Sequence, residues 1–218
     1  MRIAVEILFP TWLLLECLAE FARQRPETRI EVFETVLTGT EEILAQGKVD
    51  LAIGSQSSGV SGTVLMTMRG IAVAHPDHPL HRLGRSVTDR DLRRHRRIFI
   101  RDTGTQRQRE VQGVELRWTV SNKATSIRAL SMGLAFAWLP EEWIGDELRA
   151  GSLKPLPLKS GAERSGQLYL AFSDADFPSP DVARLAQIIR TRTAERCREL
   201  QERNPKEAAG APRRIRRR

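Results

Sequence analysis

Residues 37–55, LTGTEEILAQGKVDLAIGS, constrain the fold more than any other part of the chain. They predict one short helix followed directly by one apolar strand. Thr38 or Thr40 is placed to cap the start of the helix, and Gly47 is placed to end it. The strand is expected at residues 49–53. A helix–glycine–strand unit this short usually adds its strand to a parallel sheet that is covered by helices.

The preceding residues show the same alternation of strand and helix. A strand is expected at residues 2–5, a helix with one apolar face at 11–23, and a second strand at 30–36. The resulting β-α-β-α-β order predicts parallel strands joined by right-handed crossovers. Ligands bind such sheets at the C-terminal ends of the strands, which here lie near residues 9–12, 37–38 and 54–55.

The second half of the chain continues with elements of both kinds. Helices are expected at residues 88–92, 121–133, 141–148 and 181–201, and strands at 64–67, 69–74, 97–100, 116–120, 134–139 and 166–172. The last helix carries its apolar residues in one stripe, which indicates that one face is buried.

Composition and charge exclude several classes of protein. Hydrophobic residues make up 40% of the 218 residues, enough to bury a substantial core. No run of 18 apolar residues indicates a membrane span. The net charge is +8, but residues 204–218 contain six basic residues and one acidic residue, which leaves only +3 for the rest. That body does not resemble a nucleic-acid-binding surface, and the basic tail is expected to be disordered.

Two features of the sequence bear on location. The apolar N-terminus is interrupted by Glu6 and Glu16, so it predicts a strand and a helix rather than a secretion signal. We therefore expect a cytoplasmic protein. Cys17 and Cys197 fit core packing in a reducing compartment better than a disulfide.

No arrangement of residues points to catalysis. The segment GSQSSG has neither the lysine nor the spacing of a phosphate-binding loop, and Ser55 is not in a nucleophile elbow. His75, His78 and His81 invite a zinc interpretation, but prolines separate them and no cysteine or glutamate completes a ligand set. We predict no enzyme activity, no metal and no cofactor.

The residues favour a binding site, because hydroxyl or amide side chains recur where helices follow strands. Ordinary capping explains part of this pattern. The alternative is that two facing lobes direct several helix N-termini, which attract anions, into one cleft with an apolar wall. The polar candidates are Thr11, Thr38, Thr103, Thr105, Ser121 and Asn122, and the apolar ones are Phe9 and Trp12.

Three segments carry a resemblance to a known family. They are the order Gly39, Leu44, Gly47 and 50–53, then the string PDHPL at 76–80, then ALSMGLAFAWLP at 129–140. This ordered set resembles the effector-binding domain of LysR-type transcriptional regulators and covers about residues 2–200. Ala135 stands where that family usually has a second glycine.

The resemblance implies an α/β, two-lobe, type 2 periplasmic-binding-protein-like fold. Two hinge strands, at about 69–74 and 167–172, would cross between the lobes. Lobe I would comprise residues 1–72 and 171–203, and lobe II residues 73–170. The family's N-terminal winged helix-turn-helix has no counterpart here, so we expect a truncated form in which DNA binding belongs to the missing domain.

The same resemblance implies that the cleft binds a small effector, often an organic acid. The family's ligand positions correspond to residues at the helix starts and strand ends. An arginine at the position of Ser55 would hold a second carboxylate, and this chain lacks one there, so we expect a mono-anionic or aromatic effector rather than a dicarboxylate. These positions, with their neighbours, are Phe9, Pro10, Thr11, Trp12, Leu37, Thr38, Ser55, Thr103, Thr105, Ser121 and Asn122.

The family's assembly implies a homodimer or tetramer that pairs lobe I of one protomer with lobe II of its partner. The interface would use residues 11–23 and 30–36. We therefore predict the ligand-sensing domain of a transcription factor. The alternative is a free-standing solute-binding protein of a transporter, which shares the fold.

Overall fold

The computed structural model describes residues 1–105, 116–174 and 178–203. The basic tail predicted at 204–218 lies outside these residues. The strands are β1 (Arg2–Glu6), β2 (Glu31–Thr35), β3 (Leu51–Ser55), β4 (Thr63–Ala74), β5 (Arg97–Ile100), β6 (Arg117–Val120), β7 (Phe136–Pro140), β8 (Lys154–Pro155) and β9 (Glu163–Phe172). The helices are α1 (Thr11–Gln24), α2 (Thr38–Ala45), α3 (Asp89–Arg93), α4 (Lys123–Ser131), α5 (Gly145–Arg149) and α6 (Pro180–Arg203).

The strands follow the order β2-β1-β3-β9-β4-β7-β5-β6. β1 pairs in parallel with both β2 and β3, so the predicted β-α-β-α-β unit is confirmed. The third strand lies two residues later than predicted, at Leu51–Ser55, and all five of its residues are buried. We call the part of the fold that contains β1–β3, α1, α2 and α6 the first lobe.

Two long antiparallel strands, β4 and β9, occupy the middle of the sheet and connect its halves. The sequence predicted two separate strands at 64–67 and 69–74. They form the single strand β4, because the pairing with β9 continues without a break from Met66 to Ile71, across the predicted gap. The two predicted crossing strands are thus present and are longer than expected.

The second lobe contains β5, β6 and β7, which pair in parallel, with α3, α4 and α5. The helix predicted at 88–92 is α3, which Thr88 caps in a capping box with Asp91. Asn122 caps α4 by accepting hydrogen bonds from the amides of Ala124 and Thr125. The single helix predicted at 141–148 is instead a 3-10 turn at Glu141–Trp143 followed by α5, because Ile144 adopts a non-helical backbone conformation.

Each lobe has its own apolar core. In the first lobe, α1 and α6 pack on the sheet, and Phe9, Cys17 and Phe21 are almost fully buried. In the second, Ile98, Leu130 and other apolar residues of β4, β5, β7 and α4 form a separate cluster. These separate cores, with β4 and β9 running between them, are the basis of the two-lobe architecture. No helix among the described residues is long and apolar enough to cross a membrane.

The start of α2 differs from the prediction. The residue before its first turn is Leu37, and no side chain of the helix caps it. Thr38 is already helical, and Thr40 is buried with its hydroxyl 2.8 Å from that of Thr35. The predicted caps are therefore wrong, because both hydroxyls are engaged elsewhere. Gly47 ends the helix as predicted, with a φ of 63°.

Candidate functional site

A cavity of about 430 Å³ lies between the two lobes. On the first-lobe side it is bounded by the C-terminal ends of β1, β2 and β3. On the second-lobe side it is bounded by β5, α4 and β7, while β4 and β9 form the remaining wall. A cavity of this volume is in the usual range for small-molecule sites.

Glu6 and Ser55 form the polar part of the first-lobe wall. Glu6 ends β1 with an exposed fraction of 1%, and its carboxylate accepts a 2.6 Å hydrogen bond from the Ser55 amide. Burial raises the pKa of Glu6, although hydrogen bonds from Ser55 act in the opposite direction. The Ser55 hydroxyl is buried near this carboxylate but forms no well-aligned hydrogen bond among the described residues.

Leu37 contributes a strained backbone to the same wall. It has a φ of 51° and is the only described non-glycine residue with positive φ. Residues other than glycine rarely adopt a positive φ. Those that do concentrate at ligand-binding sites and in segments that change conformation. Leu37 lines the cavity at the point where β2 leads into α2.

The second-lobe wall contains an alternating row of arginine and aromatic side chains. Arg117 lies 5.9 Å from the Phe99 ring centroid, and Arg97 lies 4.2 Å from the same ring. Arg97 and Arg164 then lie 4.5 and 4.2 Å from the Trp138 ring centroid. We call these five residues the Arg–aromatic row; all of them except Arg117 line the cavity.

Arg97 is the most constrained cation of the row. Burial, together with the positive charge of Arg164, lowers the pKa of Arg97 to about 10. Its Nε is buried without a hydrogen-bond partner among the described residues. Among the same residues, no carboxylate forms an ion pair with Arg97 or Arg164. Their guanidinium groups instead make cation–π contacts with the aromatic rings.

Ser126 adds a second unpartnered polar group to this wall. It lies in the second turn of α4, is fully buried, and lines the cavity. Its hydroxyl has no hydrogen-bond partner among the described residues. A buried hydroxyl without a partner costs free energy, and such groups are commonly satisfied by a ligand or by water.

The N-terminus of α2 is already occupied by an acidic side chain from the second lobe. Asp102, in the loop after β5, accepts hydrogen bonds from the Thr38 hydroxyl at 2.7 Å and from the Gly39 amide at 3.3 Å. Thr103 adds a 2.9 Å bond from the Val36 amide to its hydroxyl. An effector cannot take this helix terminus without displacing Asp102, so the predicted anion site at Thr38 is filled by the protein itself.

Further contacts between the lobes surround the cavity. The Lys123 ammonium donates to the Thr11 hydroxyl at 3.2 Å and lies 5.2 Å from the Trp143 ring. The Trp143 indole N–H donates to the carbonyl of Ile7 at 3.1 Å. Thr105 binds the Glu42 carboxylate through both its amide and its hydroxyl, at 2.7 and 2.8 Å. The lobes are therefore in direct contact on several sides of the cavity.

The structure separates the predicted site residues into two groups. Leu37 and Ser55 line the cavity. Thr11, Thr38, Thr103 and Thr105 instead form the interlobe contacts above, and Asn122 caps α4. Ser121, just before that cap, is exposed and does not line the cavity.

Three residues near the start of α1 are also outside the cavity. The predicted apolar wall of Phe9 and Trp12 does not form. Phe9 is 1% exposed and packs into the first-lobe core, because the chain turns inward before Pro10 begins the helix. Trp12 is 40% exposed and lies 5.2 Å from the Arg196 guanidinium. The aromatic wall is formed by Phe99, Trp138 and Trp143.

Sequence reasoning missed Glu6, Arg97, Ser126 and Arg164. Glu6 and Arg97 did carry a signal, since each is a charged residue at the end of a strand whose inner residues are apolar, RIAVE and RIFI. Ser126 and Arg164 carried none, because serine and arginine are ordinary residues on a helix and on a partly exposed strand.

Comparisons with known proteins agree on one family. The model of the LysR substrate binding domain matches residues 1–194. The probable HTH-type transcriptional regulator YhaJ of Escherichia coli strain K12 is 29% identical over 173 residues, which cover 75% of this chain and 57% of that protein. The chain thus spans little more than half the length of this relative.

Solved structures of low sequence identity share the fold. The regulatory domain of MetR from N. meningitidis has a TM-score of 0.66 and 21% identity, covering 89% of this chain and 94% of that one. The Synechocystis CcmR regulatory domain in complex with 2-PG has a TM-score of 0.68 and 15% identity, covering 88% and 96%.

These relatives are transcriptional regulators, so the comparisons do not support the alternative of a transporter's solute-binding protein. The matched model covers most of the chain, and the two-lobe α/β fold with its two crossing strands agrees with it. The chain therefore belongs to the LysR substrate-binding domain family, the effector-binding domains of LysR-type transcriptional regulators.

Proposed function

We propose that this domain senses a small molecule in the interlobe cavity and that binding there controls DNA binding by the full-length regulator. The observation that carries the proposal is the pair of buried hydroxyls, Ser55 and Ser126, that line one cavity from opposite lobes. A ligand that bonds to both hydroxyls favours one relative position of the lobes. A ligand shifts such an equilibrium only through interactions that differ between the two positions.

The boundary between the lobes is part of this proposal. We assign residues 1–72 and 171–203 to the first lobe and residues 73–170 to the second. The separate apolar cores support a change of lobe within β4 and β9, a few residues from these bounds, since Leu168 and Leu170 pack in the first core while Ile71 packs in the second. β4 and β9 then act as the hinge.

We also propose a homodimer in which each first lobe contacts the partner's second lobe. β2 and β6 lie at opposite ends of the sheet order, and each has one unpaired side among the described residues. Exposed apolar side chains occur on α1 and β2, and again on or next to β6 and after α4: Trp12, Leu15, Val32, Phe33, Leu116, Trp118, Met132 and Leu134. Exposed strand edges with apolar side chains favour association.

DNA contacts are assigned to a part of the regulator other than these residues, and a cytoplasmic location and the lack of enzyme activity stay predictions.

The test is a ligand screen with a variant that fills the cavity. Gly166 lines the cavity, and a Cβ built there meets no atom within 4 Å, so Gly166→Phe adds a large side chain at the cavity wall without a clash at its Cβ. Val64→Phe, at a residue of β4 that is 50% exposed and outside the cavity, is the matched control.

Thermal unfolding is measured against a panel of neutral and anionic small metabolites. A ligand at 100 times its dissociation constant should add about 2.7 kcal/mol of stability. Each kcal/mol raises the midpoint by about 2–4 °C in a domain of this size. Stabilisation that is retained by Val64→Phe and lost by Gly166→Phe supports the proposal. Equal stabilisation of both variants places the ligand elsewhere and refutes it.

A further inference from the structure

Leu37 combines an unfavourable backbone conformation with a position between the cavity and the contact between the lobes. Its φ of 51° occurs with a ψ of −124°, outside the left-handed helical region that is the usual positive-φ conformation of residues with a Cβ. Such a conformation costs free energy and persists only where neighbouring contacts enforce it. We infer that Leu37 is a conformational switch: its backbone is strained only while the lobes are in contact, and it relaxes when they separate. This inference rests on the proposed effector site and concerns the regulation of that site.

The peptide group before Leu37 is held from both lobes. Its carbonyl, on Val36, accepts a 3.2 Å hydrogen bond from the Thr103 amide of the second lobe. Its N–H, on Leu37, donates a hydrogen bond to the Glu6 carboxylate of the first lobe. The Val36 amide adds a 2.9 Å bond to the Thr103 hydroxyl. These contacts fix the orientation of the peptide group, and they therefore restrict the rotation about the N–Cα bond of Leu37 that φ describes.

The turn that follows Leu37 is also bonded to the second lobe. The Asp102 carboxylate accepts from the Thr38 hydroxyl at 2.7 Å and from the Gly39 amide at 3.3 Å. The carbonyl of Leu37 accepts from the Thr40 amide at 3.1 Å, which keeps it in the first turn of α2. Leu37 therefore lies between two groups that the second lobe holds in place. When the lobes separate, these interlobe bonds break together, and Leu37 becomes free to adopt a negative φ.

The same residue forms part of the cavity wall. Leu37 lines the cavity together with Glu6 and Ser55, and its side chain is partly buried. A ligand in contact with Leu37 loses that contact when φ changes sign, so it favours the arrangement in which the lobes are together. The strain acts in the opposite direction. It keeps the two arrangements close in free energy, so that a small difference in ligand affinity shifts the balance.

A simpler explanation places the strain in the first lobe alone, where the connection from β2 to α2 would require a positive φ in any arrangement of the lobes. The two explanations differ in what happens when the lobes separate. In the simpler one Leu37 stays strained, and removing the strain has no influence on the contact between the lobes. In ours, removing the strain stabilises that contact.

Hydrogen exchange of backbone amides distinguishes the two explanations. The amides of Val36, Thr103 and Thr105 donate across the contact between the lobes, so their exchange reports separation of the lobes. The Phe136 amide bonds to the Arg96 carbonyl within the second lobe, and its exchange reports unfolding of the core. Exchange is followed by NMR under conditions where the rate is proportional to the population of the open form.

The variants are Leu37→Gly, in which the residue adopts a positive φ without steric cost, and Leu37→Ala, which keeps a Cβ and therefore the strain. Both lack the leucine side chain. In Leu37→Ala we expect the three interlobe amides to exchange faster than the Phe136 amide. In Leu37→Gly they should exchange about 5- to 50-fold more slowly than in Leu37→Ala. At an unstrained position glycine loosens the backbone and accelerates exchange, so the sign of the difference decides the result.

The wild type takes the place of Leu37→Ala if that variant does not fold. If the interlobe amides exchange equally fast or faster in Leu37→Gly, separation of the lobes releases no strain and the inference is overturned. Slower exchange of Phe136 in that case assigns the strain to the first lobe alone. Exchange of all four amides at one rate within each variant also overturns the inference, because the lobes then do not separate short of unfolding.

The proposed effector site is tested independently of this switch. A ligand that stabilises Val64→Phe but not Gly166→Phe leaves the site standing, whatever the exchange rates in Leu37→Gly.

Discussion

The Thr38 hydroxyl donates a 2.7 Å hydrogen bond to the Asp102 carboxylate, and this bond joins the first turn of α2 to the loop after β5. The same carboxylate accepts from the Gly39 and Gly104 amides at 3.3 and 2.9 Å. A carboxylate at the positive end of a helix is stabilising, and this one belongs to the opposite lobe. Asp102 thus caps α2 and, with the same side chain, forms one of the contacts between the lobes.

Removing the Asp102 carboxylate should therefore weaken both the helix and the contact between lobes. We expect Asp102→Ala to lower the free energy of unfolding by about 1–2 kcal/mol, the usual cost of losing a helix cap with its hydrogen bonds. Urea unfolding monitored by circular dichroism measures this. Asp146→Ala, at an exposed residue of α5, should cost about 0.5 kcal/mol or less. If both variants lose the same free energy of unfolding, the contact between Asp102 and α2 does not stabilise the protein as we expect.

Gly39 and Gly104 face each other across this contact with almost no free space. A Cβ on Gly39 would lie 2.8 Å from the Gly104 nitrogen and closer still to the Thr103 hydroxyl. Gly39→Ala must therefore push the lobes apart, and overpacking of this kind costs about 1–3 kcal/mol. We expect lower stability together with a larger radius of gyration by small-angle X-ray scattering.

Gly145→Ala is the control for this substitution, because a Cβ at Gly145 meets no atom within 4 Å. It should leave the scattering curve unchanged. A Gly39→Ala protein with the dimensions and stability of the wild type would mean that the two segments are not in close contact in solution.

His78 should make stability depend on pH. It is buried, its ring centroid lies 5.2 Å from that of His95, and burial together with the charges of the neighbouring histidines lowers its pKa to about 4. Because this value lies below the pKa of about 6.5 in an unfolded chain, the unfolded state binds more protons between these limits. The free energy of unfolding is then constant above about pH 6.5 and falls as the pH drops towards 4.

We expect His78 alone to contribute a loss of about 1–2 kcal/mol between pH 7.5 and 5, measured by urea unfolding. Burial also lowers the pKa of His81 and of His95, and these two residues add to the loss both in the wild type and in the variant. His78→Gln keeps an acceptor for the Leu80 amide but cannot gain a proton. Its loss over the same interval should be smaller by most of that amount. Identical pH profiles for the two proteins would contradict the account of a buried, neutral His78.

The proposed dimer predicts that a charge on β2 prevents association. Phe33 is 36% exposed on β2, and we expect Phe33→Glu to give a monomer in sedimentation velocity at concentrations where the wild type is dimeric. The new carboxylate would be buried at the interface without a partner, and this destabilises the dimer. Val64→Glu adds the same charge at an exposed apolar residue of β4 and should remain dimeric. A monomeric wild type would contradict the assembly.

Periodicity and glycine placement made most of the fold predictable. The apolar stripe of α1, the end of α2 at Gly47 and the capping of α3 by Thr88 are all local patterns, and each appears in the structure. Local signals also failed where tertiary contacts compete with them. Asp102, which is 64 residues away along the chain, takes the place that Thr38 was expected to fill as a cap of α2.

The cavity was less predictable because its walls come from separate segments. Arg97, Trp138 and Arg164 are brought together only by the strand order of the sheet, and no spacing in the sequence links them. Phe9 shows the opposite error: it precedes a helix, as a ligand-binding aromatic residue would, yet the direction of the chain at Pro10 places it in the core.

The four tryptophans provide the most direct test of the cavity as the effector site. Trp138 and Trp143 line the cavity, whereas Trp12 and Trp118 lie outside it at the surface. Two-dimensional NMR of the indole N–H signals, assigned with Trp→Phe variants, should therefore show shifts at Trp138 and Trp143 when a stabilising ligand is added. The Trp12 and Trp118 signals should stay in place. Shifts confined to Trp12 or Trp118 would contradict binding between the lobes.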